Sequence, residues 1–326
     1  MSWDAPDFWS RGKQGDWRAR ALSPLGWIYH RIVQARLNKP GVQAPIPVIC
    51  IGNATVGGVG KTPFVRMLGE ALCERGHTPF ILTRGYGGTE KGPHRVTPED
   101  QAATVGDEPL MLSATLPVIV SADRAAGAQL AAEQGASLIV MDDGFQNPSL
   151  AKTLSLMLVD GQSVFGNGHV FPAGPLRETP QAAAARAHGF VLVGSQHDEQ
   201  IRAEVSELAQ NKPLFRAWLD LDKAAVPPGP LLAFCGIGRP ERFETSLREA
   251  GANLLGFHAF PDHHMLSEGE LQSLRDKAQR LGATLVTTEK DFVRFSQPHR
   301  DGITPLRGVM RTSDDDALLH MIEAAL

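Results

Sequence analysis

A glycine-rich stretch in the first quarter of the chain carries the residue types that phosphate chemistry needs. It reads IGNATVGGVGKTP over residues 51–63. Glycines allow backbone N–H groups to approach phosphate oxygens because no Cβ stands in the way. The ammonium of Lys61 would attract terminal phosphates, and the hydroxyl of Thr62 is a suitable Mg²⁺ ligand. The spacing predicts a loop that binds the phosphates of a nucleoside triphosphate, formed by Thr55, Val56, Gly57, Gly58, Val59, Gly60, Lys61 and Thr62.

The residues on either side of this loop support the prediction. The apolar run 47–51 is typical of a buried strand, and residues 64–68 have the apolar spacing of a helix. A helix that begins near Lys61 would direct its unpaired N–H groups and the positive end of its dipole at the phosphates. Thr55 stands where the usual eight-residue pattern has its first glycine. The alternative is an ordinary strand, turn and helix in which Gly-Lys-Thr occurs by chance. That alternative does not explain why the strand, the glycines, the Lys-Thr pair and the helix all occur in the order that a phosphate loop requires.

Two acidic pairs follow apolar segments. Asp142 and Asp143 end the strand-like run 138–141, and a carboxylate at the end of a neighbouring strand is where such proteins hold Mg²⁺. An ordinary Asp-Gly turn would explain only one of these two acids. Asp107 and Glu108 precede a predicted helix. Spacing alone leaves two roles open for Asp107, a helix cap or the base that takes a proton from an attacking hydroxyl.

The segment Asp262-His263-His264 holds adjacent histidines. It is open to three interpretations: a metal site, a loop histidine that faces the nucleotide cleft, and a solvated loop. No third ligand cluster accompanies the pair in sequence, which weakens the zinc interpretation. Arginines also occur among glycines and prolines at predicted strand ends, and guanidinium groups suit bidentate phosphate contacts. These arginines, which suggest a polyanionic substrate besides ATP, are Arg84, Arg124 and Arg177.

Alternating strand-like and helical segments predict an α/β fold of the P-loop NTPase type, with a doubly wound, mainly parallel sheet and a second, smaller α/β lobe. The proline-rich stretch 226–230 reads as a linker. We therefore predict an N-terminal region over 1–45, a P-loop nucleotide domain over 46–226 and a smaller lobe over 227–326 that closes over the nucleotide cleft.

The N-terminal region has an unusual composition. It holds Trp3, Trp9, Trp17 and Trp27, four of the five tryptophans of the chain. Residues 17–44 include five Lys or Arg residues and no acid. Aromatic and basic residues without acids suit a helix that lies on anionic lipid, and the apolar run 22–29 is too short to span a bilayer. A helix packed on its own domain, with tryptophans as core, is the alternative.

Composition sets wider limits. The chain has 326 residues, 42% of them hydrophobic and 21% charged, and a net charge of −4. The charge gives no reason to expect nucleic acid, and nothing in the sequence points to an obligate protein partner. Three scattered cysteines, an odd number, argue against a disulfide framework and fit a reducing compartment.

Taken together, the motifs resemble those of the tetraacyldisaccharide 4′-kinase family. They occur in the family's order and include the threonine at the head of the phosphate loop. The matching segments are GNATVGGVGKTP (52–63), TRGYGG (83–88), GDEP (106–109), ADR (122–124), MDDGFQNPSL (141–150), PAGPLRE (172–178), GIGRPERF (236–243), FPDHH (260–264) and TTEKD (287–291).

The resemblance implies a kinase on the cytoplasmic face of the bacterial inner membrane, held there peripherally. Such enzymes transfer the γ-phosphoryl group of ATP to the 4′-hydroxyl of a tetraacylated disaccharide 1-phosphate, which yields lipid IVA in lipid A biosynthesis. Carried over by motif, Asp107 and His263 form the catalytic pair with Lys61, whereas His264 is not carried over. Thr62 with Asp142 or Asp143 takes the Mg²⁺ position. The implied substrate-binding residues are Tyr86, Arg124, Gln146, Arg177 and Glu178.

Two other classes of function remain open at this point. A partitioning or maturation ATPase that acts as a nucleotide switch has a similar loop, but the lysine expected at Val56 is absent. A membrane-bound scaffold with a vestigial nucleotide site would bind nucleotide without turnover. Dependence of ATP consumption on a glycolipid acceptor or on a protein partner separates these possibilities.

Overall fold

Two β-sheets organise the chain. The computed structural model describes residues 5–10, 12–13, 15–194, 199–262 and 264–326, with the side chain of Gln297 left aside. Within these residues the larger sheet has nine strands and the smaller sheet has four. The strands are β1 Val48–Asn53, β2 Pro79–Thr83, β3 His94–Arg95, β4 Val118–Val120, β5 Leu138–Asp142, β6 Leu154–Asp160, β7 Gly189–Val193, β8 Leu214–Leu221, β9 Pro230–Cys235, β10 Asn253–Ala259, β11 Thr284–Thr288, β12 Ile303–Leu306 and β13 Gly308–Thr312.

Helices connect the strands and cover the sheets. They are α1 Trp17–Leu37, α2 Lys61–Glu74, α3 Ala102–Val105, α4 Asp107–Leu112, α5 Arg124–Glu133, α6 Pro180–Arg186, α7 Glu199–Ala209, α8 Pro240–Glu249, α9 Glu268–Leu281, α10 Glu289–Phe292, α11 Gln297–Arg300 and α12 Asp315–Glu323. Short 3₁₀ turns occupy Asp7–Trp9 and Lys223–Ala225.

The larger sheet is mainly parallel, as predicted. Its strand order is β13-β8-β7-β6-β1-β5-β2-β4-β3, and only the two outermost pairs are antiparallel. Strand β1 lies between β5 and β6, and every one of its residues is buried. A strand covered on both faces needs a continuous apolar run, which explains the sequence Val48 to Ile51. Because Ile51 pairs with Asp142, the last residue of β5, the loop after β1 and the two acids at the end of β5 meet at one edge of the sheet.

Helix α2 anchors the phosphate loop to the sheet. Phe64, Leu68 and Leu72 recur at a spacing of four residues, which places them on one face of the helix, and all three are fully buried in the core of the larger sheet. Burial of side chains of this size contributes about 1.5–3 kcal/mol each. The N-terminus of α2 is therefore held firmly at the end of β1.

The smaller sheet has the order β10-β9-β11-β12, and all of its pairs are parallel. Its core includes Leu232, Phe234 and Leu285, against which Leu271 and Leu274 of α9 pack. Helix α9 begins with a capping box in which Ser267 and Glu270 exchange hydrogen bonds.

The C-terminus differs from the expected arrangement of strands. The stretch 303–310, which the sequence suggests as one strand of the smaller lobe, is divided between β12 and β13. Strand β13 pairs with β8 in the larger sheet, and Leu318 and Ile322 of α12 join the core of that sheet. The chain therefore crosses back to the larger lobe within the predicted range 227–326. The apolar face of α12 is buried against the nine-stranded sheet, so the C-terminal helix is fixed to the larger lobe. The predicted domain boundaries after residues 45 and 226 remain predictions.

Helix α1 lies against the larger lobe and is only partly covered. Gly26 closely approaches the segment between β6 and α6, since a Cβ there would lie 2.7 Å from the carbonyl oxygen of Val170. Phe8 and Trp9 are buried in a small cluster with Ala19, whereas Trp17 and Trp27 are 73% and 64% exposed. Part of the aromatic N-terminus is thus core and part is surface; Trp3 lies outside the described residues. Within the described residues, no helix is both long and apolar enough to cross a membrane.

Candidate active site

The phosphate loop has the backbone geometry that its glycines suggest. Gly57 and Gly60 have φ values of 110° and 80°, in the region that residues with a Cβ rarely adopt. Gly60 is the N-cap residue of α2, and a Cβ at this position would also press against Val193 and Met310 at 3.3 Å. The backbone N–H of Val56 donates to the carbonyl oxygen of Pro175 at 2.7 Å. The N–H of Val56 is therefore engaged within the protein, which leaves the later loop residues and the first turn of α2 to supply N–H donors to an anion.

Asn53, the last residue of β1, holds the loop and its lysine together. Its side chain is fully buried. The amide nitrogen donates to the carbonyl oxygen and the hydroxyl of Thr55 at 2.8 and 2.9 Å, and the amide oxygen accepts from Nζ of Lys61 at 2.9 Å. The sequence motifs alone predicted no role for Asn53. An available signal was that a buried polar side chain at a strand end must find hydrogen-bond partners.

Asp143 lies beside Lys61 and Arg177. Its Oδ1 is 3.5 Å from Nζ of Lys61 and 2.9 Å from Nη1 of Arg177. Loss of hydration raises the pKa of Asp143, but the two cations outweigh that effect and hold the pKa below its usual value. The residue has a φ of 51°, so the turn after β5 is strained at this aspartate. Asp143 is therefore a charged group that orients two cations at the loop.

Asp142 has a contrasting environment. It is buried, and burial raises the pKa of Asp142 to about 7, with a further contribution from the Glu108 carboxylate. Its Oδ1 has no hydrogen-bond partner among the described residues. A buried carboxylate oxygen without a partner is costly unless a cation or another donor binds there.

The donors near Asp142 fit Mg²⁺ better than a metal with an all-protein cage. Mg²⁺ usually takes one or two carboxylates and completes its shell with water and phosphate oxygens. Thr62 and Asp142 provide a hydroxyl and a carboxylate at the same sheet edge. In the part of the chain that the structure describes, no group of three His, Cys, Asp or Glu residues could hold a metal alone.

Asp107 begins α4 and reaches the smaller lobe. Its Oδ2 accepts a hydrogen bond from Nε of Arg294 at 2.7 Å. Arg294 is buried and also donates to Asp291 and to the carbonyl oxygen of Gly236, at 2.7 and 3.1 Å. Gly106, not Asp107, is the N-cap residue of α4. The N-cap role considered for Asp107 is therefore not observed, and the carboxylate instead contacts the opposite lobe.

Of the two histidines in the Asp-His-His segment, the structure describes only His264. His263, the predicted partner of Asp107, lies outside the described residues. His264 bonds through Nε2 to Oε1 of Glu270 at 3.1 Å, and its ring stacks on Phe260 with centroids 5.2 Å apart. His264 is therefore part of the smaller lobe's own packing.

The predicted substrate residues fall into two environments. Arg177 and Gln146 lie beside Asp143, and Nη1 of Arg177 is 3.1 Å from Oε1 of Gln146. Tyr86 is 79% exposed, and its backbone lies next to Gly106, so it borders Asp107. Arg124 is buried and donates to the carbonyl oxygen of Ser121.

Glu178 is fully buried and connects several elements. Its carboxylate accepts from Arg186 at 2.7 Å, from Gln146 at 2.9 Å and from Gln34 of α1 at 3.2 Å. Gln146 also donates to the carbonyl oxygen of Asn53 at 2.9 Å. A continuous set of hydrogen bonds thus links α1 to the phosphate loop.

Ion pairs also join the two lobes around the site. Asp160, buried at the end of β6, binds Arg239 at 2.7 Å and Arg242 at 3.4 Å. Arg66 of α2 binds Glu289 at 2.7 Å. With the pair of Asp107 and Arg294, these contacts hold the smaller lobe against the sheet edge that carries the phosphate loop.

A glycine loop between a central parallel strand and a helix, with a lysine and two carboxylates at the same edge, defines a phosphate-transferring P-loop protein. The comparisons with known proteins specify the family. The model of the LpxK family, tetraacyldisaccharide-1-P 4′-kinase, matches residues 18–326. This chain belongs to the tetraacyldisaccharide 4′-kinase family, and it is a kinase.

Individual relatives agree over nearly the full chain. A tetraacyldisaccharide 4′-kinase of Bradyrhizobium sp. (strain BTAi1) is 48% identical over 97% of this chain and 94% of the relative. One of Methylobacterium radiotolerans is 44% identical over 98% of both chains. A crystal structure of LpxK from Aquifex aeolicus in complex with ATP has a TM-score of 0.75 and 25% identity, and the match covers 94% of this chain and 99% of that one. The nucleotide-switch interpretation is not favoured.

Proposed function

We propose that the protein transfers the γ-phosphoryl group of ATP to the 4′-hydroxyl of a tetraacylated disaccharide 1-phosphate, in the pathway that makes lipid A. The observation that carries the proposal is the phosphate loop with Lys61 held by Asn53 at the mouth of a two-lobed cleft, in a chain of this family. The relatives' name supplies the acceptor, and the cation-rich cleft fits two phosphorylated substrates.

ATP would bind with its phosphates on the glycine loop. The amides after Val56 and the N-terminus of α2 would donate to the phosphate oxygens. Lys61 lies 2.9 Å from Asn53 and 3.5 Å from Asp143, so its ammonium is already oriented at the loop before nucleotide arrives. Such preorganisation avoids the cost of ordering a flexible lysine during the reaction.

Thr62 and Asp142 are the residues that we assign to Mg²⁺. Asp142 is preferred to Asp143 because its Oδ1 lacks a partner, whereas Oδ1 of Asp143 is occupied by Arg177 and Lys61. When bound, Mg²⁺ supplies neutralisation of the charge on the transferred group. Asp143 would then keep Lys61 and Arg177 in position.

Asp107 would receive the proton of the acceptor hydroxyl, with His263 as its partner by family resemblance. Arg294 orients the Asp107 carboxylate from the other lobe at 2.7 Å. Tyr86 borders Asp107, and Arg177 with Gln146 lies on the nucleotide side, so these residues bracket the space for the sugar. Arg124 and Glu178 are buried, so we assign them the role of holding the residues that line this space.

Helix α1 would place the enzyme on the membrane that contains its acceptor. Its exposed face carries large apolar residues, and cations flank them. Such a helix lies in the interface with its apolar side in the lipid, and no span is required. We assign the cytoplasmic face of the inner membrane, because ATP and the acceptor meet there. The exposed apolar residues of α1 are Trp17, Leu25, Trp27, Ile28 and Ile32.

The direct test is an assay of the purified protein with ATP and the disaccharide 1-phosphate in mixed micelles, with the product identified by its mass. Phosphoryl transfer that requires this acceptor supports the proposal. ATP consumption that ignores the acceptor, or that depends on a protein partner, contradicts it.

Removal of residues 1–37 tests the membrane assignment separately. We expect this change to reduce co-sedimentation with anionic vesicles and the use of bilayer-presented acceptor, with little change in ATP affinity. High salt should weaken vesicle binding of the intact protein because it screens the cations. An unchanged distribution after truncation would identify α1 as a packed structural helix.

A further inference from the structure

A cavity of about 220 Å³ lies beside the C-terminal end of α1. Basic side chains line it, together with Leu37 and Phe145, and no Asp or Glu belongs to its lining. A polar cavity that brings several cations together without a carboxylate favours an anionic occupant. The basic lining residues are Lys39, Lys152, Arg186 and His188.

The charges in this cavity are unequally compensated. Arg186 is paired with Glu178 at 2.7 Å, and its guanidinium lies over the ring of Phe145. Lys152 is half-buried and donates to the carbonyl oxygen of Asn147. Among the described residues, neither Lys152 nor Lys39 has a carboxylate within ion-pair distance. Two lysine charges are therefore available to a ligand, and one of them is partly desolvated.

His188 contributes a donor of defined orientation. Its Nδ1 accepts a hydrogen bond from the backbone N–H of Ser155 at 3.0 Å, so the neutral ring carries its proton on Nε2. Burial and the nearby Lys212 lower the pKa of His188, which favours this neutral form. Nε2 can thus donate to an oxygen in the cavity without adding charge.

The cavity is separate from the phosphate loop. Lys152 precedes β6, whose residue Leu154 pairs with Ile49 near the start of β1. The phosphate loop follows Asn53, at the opposite end of that strand. At a rise of about 3.3 Å per residue, four residues separate the two levels by roughly 13 Å along the strand. A ligand in the cavity is therefore not the phosphate chain of ATP.

We propose that this cavity binds the phosphate group of a lipid, with Lys39 and Lys152 as its cations and Nε2 of His188 as a neutral donor. The proposal rests on the proposed docking of α1 to the membrane, because Leu37 and Lys39 bring the cavity to the end of that helix. A phosphomonoester on the acceptor and the phosphodiester of an anionic phospholipid share the required chemistry.

The first experiment measures co-sedimentation of the full chain with phosphatidylcholine vesicles, with and without phosphatidylglycerol. Lys39→Gln, Lys152→Gln and His188→Ala are compared with Arg20→Gln, which removes an exposed charge of α1 outside the cavity. A phospholipid site predicts a loss of about fivefold for each lysine variant on phosphatidylglycerol vesicles. It also predicts a smaller loss for His188→Ala, whose net charge is unchanged at neutral pH.

The second experiment measures KM for the disaccharide with and without its 1-phosphate. If the substrate's own phosphate occupies the cavity, the lysine variants raise KM for the phosphorylated acceptor about fivefold and leave the unphosphorylated one unchanged. Lys39 is exposed, so Lys39→Gln reports on the site even if Lys152→Gln is misfolded.

Either selective loss supports the proposal and identifies the source of the phosphate. Unchanged behaviour in both experiments overturns it. Equal losses in Arg20→Gln and Lys39→Gln, with none in His188→Ala, also overturn it, because general attraction to an anionic surface would then explain them. If the parent protein shows no turnover with any acceptor, the proposed function fails, but the vesicle measurement still tests the cavity.

Discussion

The two sides of the cleft are built in different ways. On the nucleotide side, neighbouring residues in one sheet position the phosphate loop, Lys61 and the two acids of the 142–143 pair. On the other side, Asp107 depends on Arg294, which lies 187 residues further along the chain and belongs to the smaller lobe. The nucleotide side is therefore preorganised by local structure, whereas the acceptor side is assembled by contacts between lobes.

The adjacent acids Asp142 and Asp143 illustrate what local environment does to chemically identical groups. Burial raises the pKa of Asp142 to about 7 in the absence of metal. Lys61 and Arg177 hold the pKa of Asp143 low despite its loss of hydration. Asp142, whose Oδ1 has no hydrogen-bond partner among the described residues, is suited to bind a cation. Asp143, which is already paired with Lys61 and Arg177, is suited to orient those two side chains.

Removal of the lysine of the loop should give the largest loss of activity. Lys61→Ala removes the charge that clamps the terminal phosphates, so we expect a fall in kcat/KM on the order of 10³-fold or more. Because Asn53 keeps its bonds to Thr55, the loop itself should survive. Steady-state kinetics with ATP measures the effect, and circular dichroism checks the fold. Activity within about tenfold of the parent would show that Lys61 is not the clamp.

The acceptor side should respond through kcat. Asp107→Ala and His263→Ala should each lower kcat by roughly 10²–10⁴ with little change in ATP affinity, because neither residue belongs to the phosphate loop. Arg294 retains Asp291 and the carbonyl of Gly236 after Asp107 is removed, so the lobes should stay folded.

A variant with both Asp107 and His263 replaced by alanine distinguishes a catalytic pair from two residues with separate roles. If Asp107 and His263 act together, the double substitution costs little more than the worse single one. Multiplied losses would rule out the pair. His264→Ala is the matched control, and a mild effect is expected because His264 bonds to Glu270 within its own lobe. Equal damage from His264→Ala would instead support a metal site.

Asn53 provides an intermediate test of the preorganised side. Asn53→Ala frees Lys61 to move toward Asp143, and displacement of a catalytic group by about 1 Å can cost up to about 10²-fold. We expect a loss of roughly 10- to 100-fold in kcat/KM for ATP. Thr153→Val is the control, because it removes a bond to the backbone of Val48 at the other end of β1. Similar losses in both variants would mean that Asn53 only stabilises the strand.

Much of the nucleotide side could be predicted from the sequence because its residues are contiguous. A buried strand, positive-φ glycines and a helix start are local features, and strand order then brings Asp142 beside Ile51. The role of Asn53 was missed because it depends on a hydrogen bond from Nζ of Lys61, eight residues later, which the sequence pattern does not show. Arg294 was missed because no short-range pattern records a partner in another lobe. The return of β13 to the larger sheet was missed for the same reason, since pairing with β8 is a long-range choice.

The smallest effect on activity should come from a lobe contact whose carboxylate is already engaged by arginines, that of Asp160 with Arg239 and Arg242. Asp160 binds Arg239 at 2.7 Å and Ser163 at 2.9 Å, and these partners outweigh the effect of burial and lower the pKa of Asp160. A carboxylate with a depressed folded pKa stabilises the protein above its unfolded pKa of about 3.9, and this stabilisation is lost as the pH falls through the folded pKa. Asp160→Asn should therefore lower the free energy of unfolding by about 1–3 kcal/mol at neutral pH.

The pH dependence separates this contact from general destabilisation. The difference in unfolding free energy between parent and Asp160→Asn should be largest near neutral pH and should shrink as the pH falls below about 4. Denaturant titrations at several pH values measure it, and activity with saturating substrates should change little. Glu244→Gln is the control, because Glu244 and Arg248 form an exposed pair on α8 worth about 0.3–0.5 kcal/mol. A difference that is constant with pH would mean that the Asp160 charge does not hold the lobes together, and only the packing of its side chain matters.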